Sequence, residues 1–169
     1  MTGARSSAPS DPVIIVQAGT AERVEMAREL FLEYAKWLDI DLCFQGFDDE
    51  LATLPGTYAP PRGRLLLALV DDMPAGCVAL RPLATDTAEL KRLYVRENWR
   101  GRGLGRLLAE RLVADARYIG YARIQLDSLP TMTAAAALYR SLGFVSREAY
   151  YDTPLVHTVF MELDLSGRR

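Results

Sequence analysis

The chain has 169 residues, of which 50% are hydrophobic and 25% are charged. This size and composition predict one globular domain that buries a sizeable core. The 20 basic and 22 acidic residues give a net charge of −2, which excludes nucleic-acid binding through a broadly basic surface. No segment approaches the roughly 20 apolar residues of a membrane span, and the first residues lack the apolar core of a secretory signal. We therefore expect a cytoplasmic protein that binds neither nucleic acid nor a membrane.

The cysteines and the histidine give no sign of a disulfide framework or a metal site. Cys43 and Cys77 are the only cysteines, without CxxC spacing, and His157 is the single histidine. A structural zinc site or a disulfide-stapled fold needs more such residues at closer spacing. We expect two buried, reduced thiols and no bound metal.

The amino-terminal region predicts a tail, a strand and two helices. Residues 1–12 are small and polar with two prolines, which predicts a flexible tail. The β-branched residues 13–16 predict a strand. Thr20 is the predicted N-cap of a helix that runs to about Trp37, because its apolar side chains recur at three- and four-residue steps. A shorter helix is predicted over residues 48–54.

Three strands follow, and the third is irregular. Residues 65–70 and 76–83 are apolar runs separated by a turn, which predicts an antiparallel pair. Residues 89–95 form the third strand, in which Lys91 and Arg92 interrupt the alternation of polar and apolar side chains. An extra residue in one strand has this effect, so the interruption predicts a β-bulge.

The carboxy-terminal half predicts alternating helices and strands. An amphipathic helix runs from Leu104 to Gly120, and polar and apolar side chains alternate in the strand that follows it. The remaining elements are strands at residues 122–127, 144–149 and 158–165 and a helix at residues 133–142, with residues 166–169 as a tail. Together the elements predict one α/β domain over residues 13–165, with a mixed, mostly antiparallel sheet of six to seven strands and about four helices.

Three glycines, Gly101, Gly103 and Gly105, lie between the third of these strands and the long helix, with three arginines around them. Glycine lets backbone amides approach an anion closely, and the amino-terminal end of a helix favours negative charge. The loop therefore predicts a pyrophosphate site. Two other phosphate motifs are excluded, because GxGxxG requires glycine at Arg106 or Leu108 and no Gly-Lys-Ser/Thr sequence is present.

The pattern Arg100-x-x-Gly103-x-Gly105, preceded by a strand, resembles the acetyl-CoA motif of the GNAT superfamily of N-acetyltransferases. The sequence ALYRSLGF at residues 137–144 is similar to the second signature of that family, LYxxxGF. The resemblance covers about residues 64–165. It implies a single-domain GNAT fold, acetyl-CoA as co-substrate, and direct transfer of the acetyl group to a primary amine without a covalent enzyme intermediate.

The resemblance also implies which groups bind acetyl-CoA. The residues expected to hold the pyrophosphate are Arg100, Gly101, Arg102, Gly103, Leu104, Gly105 and Arg106. The amide of Leu93 would stabilise the oxyanion, and Val95 would pair with the pantetheine amide as an added strand does. At Met132 the chain departs from the family, in which many members carry an asparagine. The nearby polar alternatives are Ser128, Thr131 and Thr133.

Two catalytic residues follow from the same resemblance. Glu89 lies eleven residues before Arg100, where histone-modifying members carry a general-base glutamate; the alternative is a solvated charge at the start of a strand. Tyr139, in the second signature, is the candidate general acid for the departing thiolate, and the alternative is a packed core aromatic. His157 is a second candidate base, although its predicted hairpin position favours a surface residue.

The acceptor amine is not identified by the sequence. By resemblance, the first two helices and the last hairpin shape its pocket, and Tyr150 and Tyr151 are candidates for the lining. The carboxylates of these elements favour a cationic amine; they are Glu33, Asp39, Asp41, Asp48, Asp49 and Glu50. Two non-catalytic alternatives stay open: an acyl-CoA sensor, and a regulatory module that docks through residues 44–61 instead of using them as a lid. The expected partners are acetyl-CoA and an amine. A homodimeric assembly stays open.

Overall fold

The computed structural model describes residues 12–167 of the chain, so the predicted tails fall largely outside it. The strands are β1 (Val13–Gln17), β2 (Arg64–Val70), β3 (Met73–Pro82), β4 (Thr87–Val95), β5 (Arg123–Ser128), β6 (Val145–Arg147) and β7 (Val159–Asp164). The helices are α1 (Ala21–Leu38), α2 (Phe47–Thr53), α3 (Leu104–Ile119) and α4 (Thr133–Ser141). Among these described elements, no helix has both the length and the apolar composition of a membrane span.

The strands form one sheet in the order β1-β2-β3-β4-β5-β7-β6. Neighbouring strands are antiparallel except β4 and β5, which are parallel and connected through α3. The predicted α/β fold with a mostly antiparallel sheet and four helices is confirmed. Strands β3 and β4 begin earlier than predicted, because Met73 still pairs with Val70 and Thr87 with Arg123.

Helices cover both faces of the sheet, so the core has two halves. On one face, Leu108 of α3 and Tyr139 of α4 share a core with Val78 of β3. On the other face, Phe31 of α1 shares a core with Leu67 of β2. Because both faces are covered, β2 is buried along almost its whole length, as its continuous apolar sequence predicts.

Strands β4 and β5 pair over only three residues each. Residues 87–89 match residues 123–125, and no further register pair joins the two strands. Since β4 continues to Val95 and β5 to Ser128, the strands diverge and a gap opens in the middle of the sheet. Main-chain groups along such a gap are free to bind a ligand.

A β-bulge in β4 places two consecutive cations on one face of the sheet. The register with β3 shifts after Cys77, and Arg92 has a left-handed φ of 62°. Leu90 and Leu93 pack with the α3 half of the core, whereas Lys91 and Arg92 both bind residues of the α1–α2 region. The predicted bulge is confirmed, and it explains why two neighbouring residues of one strand share a face.

Arg92 anchors the α2 segment to the sheet. Its Nε and Nη2 donate to the two oxygens of Glu50 at 2.9 and 3.1 Å, and its Nη1 donates to Gln45 Oε1 at 3.0 Å. Burial opposes the charge of Arg92, but Glu50 more than offsets this effect and raises the pKa of the guanidinium above its ordinary value. This packing fits a lid over the sheet better than an exposed docking surface.

The expectation of two buried cysteines is wrong for one of them. Cys77 is buried in β3, and its thiol donates to the Arg92 carbonyl at 3.3 Å. Cys43 is exposed, because it begins a short 3₁₀ turn between α1 and α2. The Asp41 carboxylate accepts a hydrogen bond from the Cys43 amide at 2.9 Å and fixes this turn from outside the core.

We predict that Glu50→Gln lowers the free energy of unfolding by about 3 kcal/mol, because it leaves the buried Arg92 cation without its counter-charge. Denaturant titration measures the change. Asp49→Asn is the matched control, since Asp49 is exposed and one residue away; its effect should stay within about 1 kcal/mol. Equal stability of the two variants would contradict the anchoring role of Glu50.

Candidate active site

The glycine loop needs its glycines for backbone conformation. Gly101 and Gly103 have left-handed φ angles of 77° and 81°, which side chains rarely tolerate. A Cβ atom at either position would meet nothing within 4 Å, so the constraint is the backbone angle and not the space. Gly103 is also the N-cap of α3.

The amino-terminal end of α3 presents amides that have no hydrogen-bond acceptor within residues 12–167. The amide of Leu107 donates to the Gly103 carbonyl at 3.1 Å, which begins the hydrogen bonding of the helix. The amides of Leu104, Gly105 and Arg106 precede this bond and point out of the helix end. With the positive end of the helix dipole, they form a site suited to an anion.

The three arginines of the loop have different partners. Arg100 donates from Nε to the Val95 carbonyl at 2.9 Å and lies 4.8 Å from the Trp37 ring centre. The Arg102 guanidinium lies 4.9 Å from the Trp99 ring centre. Arg106 donates from Nη2 to Ser141 Oγ on α4 at 2.7 Å. Arg100 thus fixes the loop to the end of β4, and Arg106 ties α3 to α4.

A cleft of about 320 Å³ adjoins the loop, and we call it the cofactor cleft. One wall is the end of β4 from Leu93 to Val95, and the opposite wall is α4 with Ala135 and Leu138. The remaining lining comes from the glycine loop and the residues just before it, from Trp37 of α1 and from Met132. Such a mostly apolar cleft that ends at an anion site suits an extended thioester with a phosphate group.

The backbone of β4 turns two amides toward the gap. The amide of Arg96 donates to the Ala75 carbonyl on the β3 side at 2.8 Å. Alternate amides of a strand point to opposite edges, so those of Leu93 and Val95 point toward the gap. Both residues line the cofactor cleft.

Met132 occupies the position at which the family resemblance implies an asparagine. It lines the cofactor cleft and also the small cavity described next. Ser128 donates from Oγ to Met132 Sδ at 3.8 Å, a weak contact that supplies no free polar group to the cleft. Of the three polar alternatives, Ser128 alone lines a cavity beside Met132.

A small cavity of about 40 Å³ lies at the gap, with room for about three water molecules. Leu93 and Met132 separate it from the cofactor cleft, and Tyr139 and Asp127 also line it. Tyr139 is 4% exposed. Burial, with smaller contributions from Tyr34 and Asp127, raises the pKa of Tyr139, so its hydroxyl holds its proton at neutral pH.

A second large cleft, which we call the acceptor cleft, opens on the α1–α2 side of the sheet. Its volume is about 660 Å³, which is ample for a small molecule. Gln45 and Lys91 line both this cleft and the small cavity, so the two adjoin. The other polar lining includes Arg81, Glu89 and the tyrosine pair that follows β6.

Glu89 is buried and fully engaged at the floor of the acceptor cleft. It is 2% exposed, so the interpretation as a solvated charge is wrong. Its Oε1 accepts from Arg81 Nε at 2.8 Å, and its Oε2 accepts from the Tyr150 hydroxyl at 2.6 Å. The Lys91 ammonium lies 3.9 Å from Oε1. Cross-strand register explains the cluster, since Arg81 on β3 stands opposite Glu89 on β4.

Tyr150 and Tyr151 connect the two strands that part. Tyr150 binds Glu89 on β4, whereas Tyr151 donates to Asp127 Oδ2 on β5 at 2.7 Å. Their rings pack 5.4 Å apart and both pack against Phe160 of β7. Burial first, and then the neighbouring carboxylates, raise the pKa of Tyr150, so it stays a proton donor.

Several residues predicted for the site lie elsewhere. His157 is exposed with a φ of 64° and lines neither cleft nor the small cavity. The six acidic residues do not converge on the acceptor cleft: Glu33 binds Arg96 at 2.7 Å, Glu50 binds Arg92, and Asp41 caps a turn. The cationic side chains of the cleft replace the expected carboxylates.

Sequence reasoning missed several residues that line the acceptor cleft or the small cavity, among them Gln45, Arg81, Lys91 and Asp127. A signal was present for the two cations. Arg81 continues the alternation of Cys77 and Ala79 on one face of β3, and Lys91 follows Glu89 by the same alternation on the matching face of β4. Gln45 gave no signal, because only the folded α1–α2 connection brings it to the sheet.

The family model of the acetyltransferase (GNAT) family matches residues 24–144. The chain belongs to this family, and it is an acyltransferase enzyme, as the resemblance of its glycine loop implies. It is 41% identical to an uncharacterised N-acetyltransferase of Schizosaccharomyces pombe over 139 residues, which cover 81% of this chain and 85% of that relative.

Solved structures show the same fold. A GNAT-family acetyltransferase of Staphylococcus aureus superposes with a TM-score of 0.76 at 19% identity, covering 91% of this chain and 99% of that one. The PaiA N-acetyltransferase of Thermoplasma acidophilum, solved in complex with coenzyme A, superposes with a TM-score of 0.71 at 18% identity, covering 90% and 99%. At these identities, the similarity between the structures shows a shared fold and nothing beyond it.

We predict that Gly105→Asp abolishes acetyl-CoA binding while the protein still folds. Gly105 has an ordinary helical backbone, and a Cβ atom there makes only van der Waals contacts, the nearest at 3.7 Å. A carboxylate in the first turn of a helix is stabilising, but here it would repel a pyrophosphate. Calorimetric titration with acetyl-CoA measures the loss. Gly19→Asp, in an exposed loop with nothing within 4 Å, is the matched control and should bind as wild type does.

Proposed function

We propose that this enzyme transfers the acetyl group of acetyl-CoA directly to a primary amine of a small molecule or peptide. One observation carries the proposal: two separate clefts meet at the gap between β4 and β5. The cofactor cleft ends at the anion site of α3, and the acceptor cleft carries ionisable groups. A thioester in one cleft and an amine in the other would meet in the small cavity, where proximity favours reaction.

Each chemical requirement of the transfer has a candidate group at this junction. The amide of Leu93 would donate to the oxygen on which negative charge develops, because it points into the gap and has no strand partner there. Val95 would pair with the pantetheine arm as a neighbouring strand would. Residues 100–106 would hold the pyrophosphate through the helix amides and the arginines around them.

Glu89 would accept the proton of the amine, directly or through one water molecule. Most alkyl amines are protonated at neutral pH, so attack on the thioester requires this step. Asp127 is the alternative candidate for the base, because it lines the small cavity, whereas Glu89 lines the acceptor cleft. Tyr139 would return a proton to the thiolate, for which its neutral, buried hydroxyl is suited.

The same clefts argue against the two non-catalytic alternatives. An acyl-CoA sensor needs only the cofactor cleft, whereas this chain also has an acceptor cleft with a buried carboxylate. A module that docks through the α2 segment would leave that segment exposed, whereas Gln45 and Glu50 hold it to Arg92. Release of coenzyme A in the presence of mixed amines separates a transferase from both alternatives.

We predict that Glu89→Gln lowers kcat/KM most at low pH and that raising the pH restores part of the rate. The substitution keeps the shape but removes the base, and more of the amine is already neutral at high pH. A pH–rate profile measured by thiol release tests this. Glu162→Gln is the matched control, because Glu162 is a carboxylate on β7 bound to Gln125 and Arg147. Its profile should superimpose on wild type.

The same measurement decides between the two carboxylates. If Asp127→Asn and not Glu89→Gln shows the rescue at high pH, the base is Asp127. A higher KM for the amine with unchanged kcat in Glu89→Gln would mean that this carboxylate binds the amine without deprotonating it.

We predict that Tyr139→Phe lowers kcat by about 10- to 1000-fold while acetyl-CoA affinity changes little, since the hydroxyl acts only as the thiolate leaves. Single-turnover kinetics isolate this step from product release. Tyr118→Phe is the control, because Tyr118 is 87% exposed on α3. A wild-type rate in Tyr139→Phe would leave Tyr139 as a packing residue against Phe144.

A further inference from the structure

Lys91 is a buried cation with too few partners. It is 6% exposed, yet one hydrogen-bond acceptor from the described residues reaches its ammonium, Gln45 Oε1 at 3.3 Å. That oxygen also accepts from Arg92 at 3.0 Å. The nearest carboxylate oxygen belongs to Glu89, at 3.9 Å, which is beyond hydrogen-bond reach.

The unfilled donors of Lys91 call for an anion. An ammonium group has three donors, and a buried cation is costly unless it is paired. The Glu89 carboxylate lies at ion-pair distance but forms no hydrogen bond with the ammonium, so donors of Lys91 stay available to a ligand. Lys91 lines both the small cavity and the acceptor cleft, so a ligand in either space can reach it.

Arg81 supplies a second cation on the same cleft. Its Nε is bound to Glu89, and its side chain is 32% exposed. Among the described residues, no hydrogen bond is made by its two Nη groups, which are the planar donors suited to a carboxylate. Arg81 and Lys91 therefore both lie within 4 Å of the same oxygen of Glu89, Oε1, and both line the acceptor cleft.

We propose that the acceptor is an α-amino acid whose carboxylate pairs with Lys91 and Arg81 while its amino group faces Glu89. The proposal rests on the proposed transferase function and names its substrate class. A carboxylate and an amino group on the same carbon lie close together, and the opposite charges of Lys91 and Glu89 lie 3.9 Å apart in the cleft.

The charges of the cleft favour this zwitterion over a polycation. The acidic and basic residues of the lining are Arg81, Lys91 and Glu89, so a polyamine would place several positive charges beside two existing cations. An amino acid instead places its carboxylate beside the two cations and its amino group beside the carboxylate of Glu89. Burial and the nearby Arg92 lower the pKa of Lys91, whereas Glu89 raises it. A bound carboxylate would act in the same direction as Glu89 and stabilise the charged ammonium.

The experiment compares acceptors that differ only in the carboxylate. Free amino acids are assayed beside their carboxamides and beside the decarboxylated amines, with polyamines included, by acetyl-CoA-dependent thiol release. We expect kcat/KM for the best free acid to exceed that of its carboxamide by about 10- to 100-fold. Lys91→Met should remove most of this preference without changing acetyl-CoA affinity. Lys36→Met, at the only other lysine and exposed on α1, is the matched control and should keep it.

A binding measurement tests the subsite without turnover. Calorimetry with the N-acetylated amino acid on coenzyme A-loaded protein should show binding to wild type and Lys36→Met, and a loss of about tenfold or more in Lys91→Met. Equal use of carboxamides or polyamines, an unchanged preference in Lys91→Met, or acetyl-CoA binding with no response to any carboxylate-bearing amine would overturn the amino-acid subsite. Failure to bind acetyl-CoA at all would instead overturn the proposed function.

Discussion

Strands β4 and β5 share three register pairs before they part, and each component of the site occupies the space that this parting creates. On one side of the gap, the exposed edge of β4 and the glycine loop form the cofactor cleft. On the other side, the polar row of Arg81 and Glu89 forms the floor of the acceptor cleft. The two clefts lie beside one small cavity, so the break in the sheet determines where the two clefts meet.

The bulge at Arg92 adds a second constraint, because it changes which residues face the α1–α2 side of the sheet. Without the extra residue, Arg92 would alternate to the α3 side and its charge would enter an apolar core. With the bulge, Arg92 reaches Glu50 and holds α2 in place, and Lys91 stays beside Glu89. One irregular residue thus determines both the lid and the charge of the cleft.

The fold could be predicted from local sequence, since it depends on short-range patterns. Apolar periodicity defined the helices, and the glycines between a strand and α3 mark the loop for which an anion site is proposed. The acceptor cleft could not be predicted in this way. The partners of Glu89 come from β3 and from the segment after β6, and Gln45 arrives from the α1–α2 connection. Contacts between segments that lie far apart in the chain produce no periodic pattern in the sequence. The burial of Glu89 therefore could not be predicted from the sequence.

The adjacent tyrosines after β6 replace, in part, the missing ladder between β4 and β5. The pairing of β4 with β5 ends at Glu89 and Gln125, but Tyr150 holds β4 through Glu89, and Tyr151 holds β5 through Asp127. The rings of Tyr150 and Tyr151 pack against each other and against Phe160, which fixes their positions. The distance between β4 and β5 is therefore set by the side chains of Tyr150 and Tyr151, which aromatic packing keeps in place. Past the last register pair, these side-chain contacts join the two strands in place of backbone pairing.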